Sequence, residues 1–309
     1  MGIPTSEKRP SSVSGGGPRI ARSGRRLFGN TLLLLILAGL LPGCSGFAFK
    51  TFYRNLDTLL QARVDNYLAL TDDQEEFLEG RIDAHYRWHR YVELPRYAEA
   101  SKSLAERIES GLKKEDLEET YSQMRAFRIR LASRIYPDAL KVLKDFDPGL
   151  IEEQRRLMEE YNEDLAEKAA SPAASRFARR LESNVEFFEF FLGDLNASQK
   201  DRIRRYTSES ADTTVLYLLY RKQNQKRMIS ILRKGKAGHE ELEDFLKQYM
   251  FNWESLYPPS YRNAVNRNRV LFYQVVLDLD RGLSKSQRQY ASTRLQELAT
   301  NFLELAGKQ

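Results

Sequence analysis

The chain ends with the segment that decides its fold, LSKSQRQYASTRLQELATNFLEL, at residues 283–305. Its apolar residues recur at intervals of four, three, four and three positions, namely Ala291, Leu295, Leu298, Phe302 and Leu305. This spacing places them on one face of an α-helix. The segment therefore predicts a helix from Ser284 to Leu305 that packs one apolar face against the rest of the protein.

The same segment opens with a helix-start motif that occurs three times, as Leu followed by Thr, Asn or Ser, two variable residues and Gln. In such a capping box the short polar side chain accepts a hydrogen bond from the N–H three residues on, and the glutamine reaches back to the N–H of the cap. The pattern predicts structural caps at three pairs of residues: Thr71 with Gln74, Asn196 with Gln199, and Ser284 with Gln287.

The segments between these starts share the helical period, and none alternates as a strand does. We expect an all-α fold, an antiparallel bundle of about eight to ten helices, in one domain over residues 49–309. The small, proline-containing stretch 169–175 offers an alternative division into two halves. The prolines predict breaks, so that Pro95 bends or ends a helix and Pro137 begins a separate short one. A single long helix is predicted over 196–233.

The N-terminal region has the features of an export signal. Residues 1–26 are rich in Gly, Ser, Pro and Arg and lack an apolar period, which predicts disorder. The apolar run 27–41 is roughly 15 residues long, whereas a membrane-spanning helix needs about 20. A short apolar run behind arginines is typical of a signal peptide. Arg25-Arg26 also fits a twin-arginine route, as an alternative to general secretion.

Leu41-Pro42-Gly43-Cys44 resembles the bacterial lipobox, although Pro42 stands where that motif prefers Ala or Ser. The resemblance implies that residues 1–43 are removed, that Cys44 carries covalent lipid, and that 44–48 form a lipidated tether. Two or three acyl chains would hold the protein on a bilayer. Ser45, where Asp would signal retention, implies the periplasmic face of the outer membrane. The alternative is a buried structural cysteine behind an ordinary signal peptide.

Most of the net positive charge of the chain lies in this predicted signal peptide. The formal net charge is +6, and residues 1–43 contain six basic residues and one acidic residue. The mature chain is therefore nearly neutral, and no nucleic-acid partner is expected. Because Cys44 is the one cysteine in the sequence, an oxidising compartment offers it no disulfide partner within the chain.

A second resemblance concerns the middle of the chain. Trp88-His89-Arg90, followed by Glu93-Leu94-Pro95-Arg96-Tyr97, is similar to an uncharacterised family of Gram-negative lipoproteins known as a domain of unknown function. The capping motifs are also similar to the Leu-Thr-x-x-Gln signature of the Spy/CpxP periplasmic stress proteins. That likeness implies a small, all-helical, cofactor-free binder of unfolded protein.

The candidate site residues lie in the same region. His85, His89 and Glu93 recur every four residues, so they share one helix face and form a plausible zinc set. They support an alternative function, a metal-dependent envelope hydrolase, although Tyr86 stands where a zincin has its catalytic glutamate. Trp88, His89, Arg90 and Arg96 either line a binding groove or fix the bend at Pro95. A further set of arginines at 176, 179, 180, 202, 204 and 205 is a candidate for phosphate or lipid headgroups.

These features favour a protein that is not an enzyme. We expect a helical binding, chaperone-like or adaptor protein of the envelope, with no cofactor apart from the lipid on Cys44. Its partners would be the membrane, through the anchor, and an envelope protein or peptide.

Overall fold

The computed structural model describes residues 46–307, with side chains from residue 49 onward. The predicted signal peptide, Cys44 and the lipobox lie outside these residues. In the described part of the chain every regular element is a helix, and the prediction of an all-α fold is confirmed.

The α-helices follow one another with short connections. Their bounds are α1 Gly46–Arg54, α2 Leu56–Tyr67, α3 Asp72–Trp88, α4 Leu94–Ser110, α5 Lys114–Lys144, α6 Ile151–Ala170, α7 Ala173–Leu192, α8 Ala197–Glu209, α9 Thr214–Leu232, α10 His239–Phe251, α11 Pro259–Arg281 and α12 Lys285–Leu305. A π-turn joins α3 to α4, and 3₁₀ turns precede α6, α10 and α11.

The C-terminal helix α12 forms its most extensive contact with α4. Two hydrogen bonds show that the helices run antiparallel. Arg90, just before α4, donates to the carbonyl of Leu305 at the end of α12. Arg288, at the start of α12, donates to the carbonyl of Ile108 at the end of α4. Alanines fully buried along this contact let the helix axes approach closely; they are Ala98, Ala105, Ala291 and Ala299. The apolar stripe read from the sequence is thus the face that packs on α4.

Pro95 does not end the helical segment in which it lies. The helix continues through it because residues His89–Glu93 form a π-turn, in which the N–H of Leu94 donates to the carbonyl of His89. This wider turn shifts the hydrogen-bond pairing by one residue just before the proline. It also turns Glu93 inward, where its side chain is fully buried. The predicted bend is therefore a local widening of one continuous helix.

Two other predicted boundaries are wrong. Pro137 lies inside α5, which continues across the expected break. The predicted long helix over 196–233 is divided at residues 210–213, where the side chain of Asn268 on α11 both donates to and accepts from the backbone of Ala211. At Ala211 a contact with α11 thus stabilises a break that the local sequence does not predict.

The buried apolar residues form several clusters. One joins α1, α4 and α12 around Phe49, Tyr97 and Phe302, and another joins α6, α9 and α10 around Phe245. A third joins α7, α8 and α11 around Ile203. Within residues 46–307, no helix has the length and apolar character needed to cross a bilayer.

Candidate functional site

The three residues predicted as a zinc set form hydrogen bonds with three different partners. His85 Nε2 lies 2.7 Å from Asp138 Oδ2, and His89 Nδ1 lies 2.8 Å from the Tyr53 hydroxyl. Glu93 accepts from the Arg130 guanidinium at 2.5 to 3.1 Å. Asp138 and Arg130 lie eight residues apart on α5, and Tyr53 lies on α1, so the shared helix face does not bring the side chains to one ion.

The positive charges near His85 also disfavour a cation there. Burial lowers the pKa of His85, and the positive charges of Arg134 and Arg81 lower it further against the opposing effect of Asp138. Burial lowers the pKa of His89 to about 4. No group of three or more His, Cys, Asp or Glu in the described part of the chain is arranged to hold a metal ion. The metal-dependent hydrolase is therefore not supported.

Trp88 and Arg90 contact neighbouring helices, whereas Arg96 contacts Glu93 in its own helical segment. Trp88 packs under the guanidinium of Arg134, whose Cζ lies 5.9 Å from a ring centroid of the indole. Arg90 donates to the carbonyl of Leu305, and Arg96 lies 3.9 Å from Glu93 with half of its side chain exposed. These contacts tie the π-turn to α5 and to the end of α12. None of the three residues lines the large cavity described below.

The three capping boxes are present at the starts of α3, α8 and α12. Each short side chain accepts from the N–H three residues on, and each glutamine accepts from the N–H of its cap. The glutamines also reach other elements. The Gln74 amide donates to the carbonyls of Val142 and Asp145 at the end of α5, both at 3.1 Å.

Five of the six predicted arginines lie at two places, and Arg204 is exposed on α8. Arg176, Arg179 and Arg180 line the cavity, whereas Arg202 and Arg205 border a smaller cleft between α8 and the end of α11. Arg176 binds Asp212 at 2.5 Å. Burial raises the pKa of Asp212, but hydrogen bonds from Arg176 and Thr214 outweigh it and hold the pKa near 2. Most of these arginines already have partners within the fold.

A cavity of about 1370 Å³ lies within the described part of the protein. Residues of ten of the twelve helices line it, and α1 and α3 are the exceptions. Because it is bordered by so many elements, the cavity lies among the core clusters rather than on one face of the bundle. Met124, which lines it, remains 44% exposed although it lies mid-helix on α5.

The lining is unusually rich in tyrosine. Nine tyrosines border the cavity. Tyr220, Tyr257 and Tyr261 pack ring against ring, with centroids 4.6 to 5.5 Å apart. Burial raises the pKa of each of these hydroxyls, so all three remain protonated hydrogen-bond donors. Aliphatic residues such as Leu60, Leu104 and Leu298 complete an apolar wall.

Basic side chains are stacked on aromatic rings around the cavity. The Arg128 guanidinium carbon lies 3.4 Å from a ring centroid of Trp253. Arg63 and Arg221 both stack on Tyr161, at 5.3 and 4.2 Å. Such contacts hold a planar cation in place. Seven basic and two acidic residues line the cavity, which is therefore strongly positive.

Sequence reasoning missed this site. Tyr217 and Tyr220, like Tyr257 and Tyr261, lie one helical turn apart, and that spacing was a signal for aromatic faces on α9 and around the start of α11. The spacing alone does not reveal that these faces meet across an open space. The residues come from distant parts of the chain, and only the packing of the helices joins them.

The comparisons with known proteins give a family and no activity. Residues 66–262, well over half of the chain, match the family of unknown function DUF6279. No curated protein matches the chain. No solved structure matches it either.

The matched region begins and ends inside the folded part. It includes the π-turn and most of the cavity lining, and it contains the capping boxes of Thr71 and Asn196 but not that of Ser284. The uncharacterised family expected from Trp88 to Tyr97 is thus found over residues 66–262. The chain belongs to the family of unknown function DUF6279.

Proposed function

We propose that this protein is a non-enzymatic binding protein of the bacterial envelope, and that its central cavity holds a segment of another envelope protein or peptide. The observation that carries the proposal is the cavity itself. Its volume of about 1370 Å³ exceeds the roughly 300–1,000 Å³ typical of small-molecule sites. Its lining combines tyrosine, tryptophan and arginine, the residues that dominate binding energy at protein interfaces.

The second part of the proposal is the tether. Lipid on Cys44 would anchor the chain at the periplasmic face of the outer membrane, with residues 44–48 as the connection. In support, Phe49 and Tyr53 are buried against α4 and α12, so the folded body begins within five residues of Cys44. Such a short connection would hold the cavity close to the bilayer. This proximity suits a chaperone-like or adaptor role toward envelope proteins.

Photo-crosslinking from inside the cavity tests the binding function. A photoreactive amino acid replaces Met124, which lines the cavity, or Val270, which is 54% exposed on α11 outside it. Detergent-solubilised full-length protein is then irradiated with reduced, unfolded α-lactalbumin. We expect a saturable crosslink from position 124 and none from position 270.

A blocking substitution supplies the control. Ala100 lines the cavity, so Ala100→Trp should fill part of it and reduce the crosslink. Ala126→Trp places the same side chain on the exposed face of α5 and should leave the crosslink unchanged. Equal crosslinking from positions 124 and 270 would contradict the proposal. So would a crosslink from position 124 that Ala100→Trp does not reduce.

A further inference from the structure

We propose that the cavity selects acidic peptide segments, and that Arg128 and Arg221 bind their carboxylates. This inference rests on the proposed function of the cavity and names the chemistry of its ligand. Both arginines line the cavity, and each is held by an aromatic ring. Their positions on α5 and α9 place them on different walls.

Arg128 has no carboxylate partner among the described residues, and its guanidinium rests on the ring of Trp253. Its neighbour Arg125 stacks on the same tryptophan but pairs with Glu254 at 2.9 Å. Glu254 is therefore already paired with Arg125. Burial lowers the pKa of Arg128, which shows how poorly its charge is solvated. An incoming carboxylate would supply the missing charge-assisted hydrogen bonds.

Arg221 lies in a similar setting. It stacks on Tyr161, and the residues described include no carboxylate paired with it. Arg63 stacks on the same ring, and the charge of Arg221 adds to burial in lowering the pKa of Arg63. Two like charges held near each other favour an anion between them.

The charges of both arginines act on the hydroxyl of Tyr249. Burial raises its pKa to about 12, while both Arg221 and Arg128 act to lower it. Its side chain is nevertheless 42% accessible, because it borders the cavity. The hydroxyl stays protonated and is available to donate to a carboxylate or a backbone carbonyl.

The lining favours a peptide over other occupants. Tyrosine hydroxyls, including those of Tyr220, Tyr257 and Tyr261, are spread along the cavity. They suit a backbone that presents a donor and an acceptor at every residue, whereas an acyl chain presents none. Charge also argues against the N-terminal residues 1–43 of this chain as the occupant, since they carry six basic residues and one acidic residue.

The test compares three labelled peptides by fluorescence anisotropy with the full-length protein. One alternates Asp with Leu and Tyr, the second has Asn for every Asp, and the third has Lys. We expect the acidic peptide to bind at least tenfold more tightly than the Asn peptide, and its affinity to fall with added salt. Each of Arg128→Gln and Arg221→Gln should weaken that binding about tenfold.

Matched variants show whether the effect belongs to the cavity. Arg269→Gln removes an arginine that stacks on Tyr121 at 4.8 Å outside the cavity, and it should leave affinity unchanged. Arg128→Lys keeps the charge and should retain more affinity than Arg128→Gln. Thermal unfolding of each variant identifies those that fail to fold.

The remaining outcomes overturn the inference in distinguishable ways. Equal affinity for the acidic and Asn peptides would reject acidic selectivity and leave the peptide-binding function standing. Binding of sodium palmitate or of phosphatidylglycerol micelles, with no binding of any peptide, would reject both and assign the cavity to anionic amphiphiles. Concentration-dependent dimerisation that Ala100→Trp abolishes would assign it to a second copy of this chain.

Discussion

Gln199 and Gln287 hydrogen-bond to each other through both side-chain amides, each Nε2 donating to the Oε1 of the other over 3.0 Å. Each also closes the capping box of its own helix, so the starts of α8 and α12 are joined directly. Gln287 donates as well to the carbonyl of Asp194, 2.9 Å away. A capping box needs only an acceptor at this position, which Glu also supplies. The amide donor is what joins the helices.

Replacing these glutamines by glutamate separates the two roles. Gln74→Glu, Gln199→Glu and Gln287→Glu each keep an acceptor for the cap and lose the donor to the second element. We expect each to lower the free energy of unfolding by about 1–2 kcal/mol, because a paired acceptor is left without its donor. Urea denaturation measures the change. Gln289→Glu, on the exposed face of α12, should change it little; Glu variants as stable as wild type would refute the bridging role.

The buried pair of Glu93 and Arg130 should be sensitive to the loss of one partner. Glu93 is 0% exposed, and Arg130 is its bidentate partner. Arg130→Ala leaves a buried carboxylate uncompensated and should destabilise the fold by about 3–5 kcal/mol. Arg96→Ala, which removes the half-exposed cation 3.9 Å away, should cost less than about 1 kcal/mol.

A double substitution tests the cause of this loss. Glu93→Leu combined with Arg130→Met removes both charges and should recover most of the stability. Thermal and urea unfolding of the two single variants and the double variant measure it. If Arg96→Ala and Arg130→Ala were equally harmful, the assignment of Arg130 as the main partner would be wrong.

His89 should make stability fall in mild acid. Burial lowers its pKa to about 4, only partly offset by the charge of Glu93, whereas the unfolded chain has a histidine pKa near 6.5. Between these values the unfolded state binds a proton that the folded state excludes, so stability decreases as pH falls. The loss approaches about 3 kcal/mol by pH 4, at up to about 1.4 kcal/mol per pH unit.

His89→Gln removes this titration while keeping a polar group beside the Tyr53 hydroxyl. Urea denaturation of both proteins from pH 7 to pH 4 separates the histidine from the carboxylates, which contribute equally to each. We expect the variant to show the shallower decline. Parallel declines would show that His89 is protonated in the folded state.

Two glycines should respond oppositely to alanine. At Gly238, in the turn before α10, an added Cβ would lie 2.6 Å from the carbonyl oxygen of Ile231. Gly238→Ala should therefore destabilise the fold by about 1–3 kcal/mol. Gly80 lies within α3 with open space around it, so Gly80→Ala should stabilise by about 0.5–1 kcal/mol. Thermal unfolding measures whether each substitution raises or lowers stability. A stabilising Gly238→Ala would contradict the close contact with Ile231.

Cys44→Ser tests the lipid tether. Without the thiol no acyl chain attaches, so we expect an uncleaved precursor or a soluble protein. Fractionation of the envelope after high-salt and carbonate washes, together with the mass of the precursor, measures the outcome. A variant that remained bound to the outer membrane after these washes would count against lipid anchoring.

The local features of this protein were predictable from sequence. Thr71, Asn196 and Ser284 start helices because a short polar side chain satisfies nearby N–H groups, and this interaction needs only neighbouring residues. The apolar stripe of α12 is likewise set by helical geometry. The prolines had different effects, because a π-turn precedes Pro95 whereas Pro137 lies inside a long helix where the sequence predicted a break.

By itself, therefore, the sequence determined that the chain is helical, where three of its helices begin, and which face of α12 is buried. The tertiary structure decided which distant side chains meet. It separated His85, His89 and Glu93 among different partners, and it brought Arg128 and Arg221 to one positive cavity. Periodicity records which residues of one helix share a face. The position of that face relative to other helices depends on packing across the whole chain.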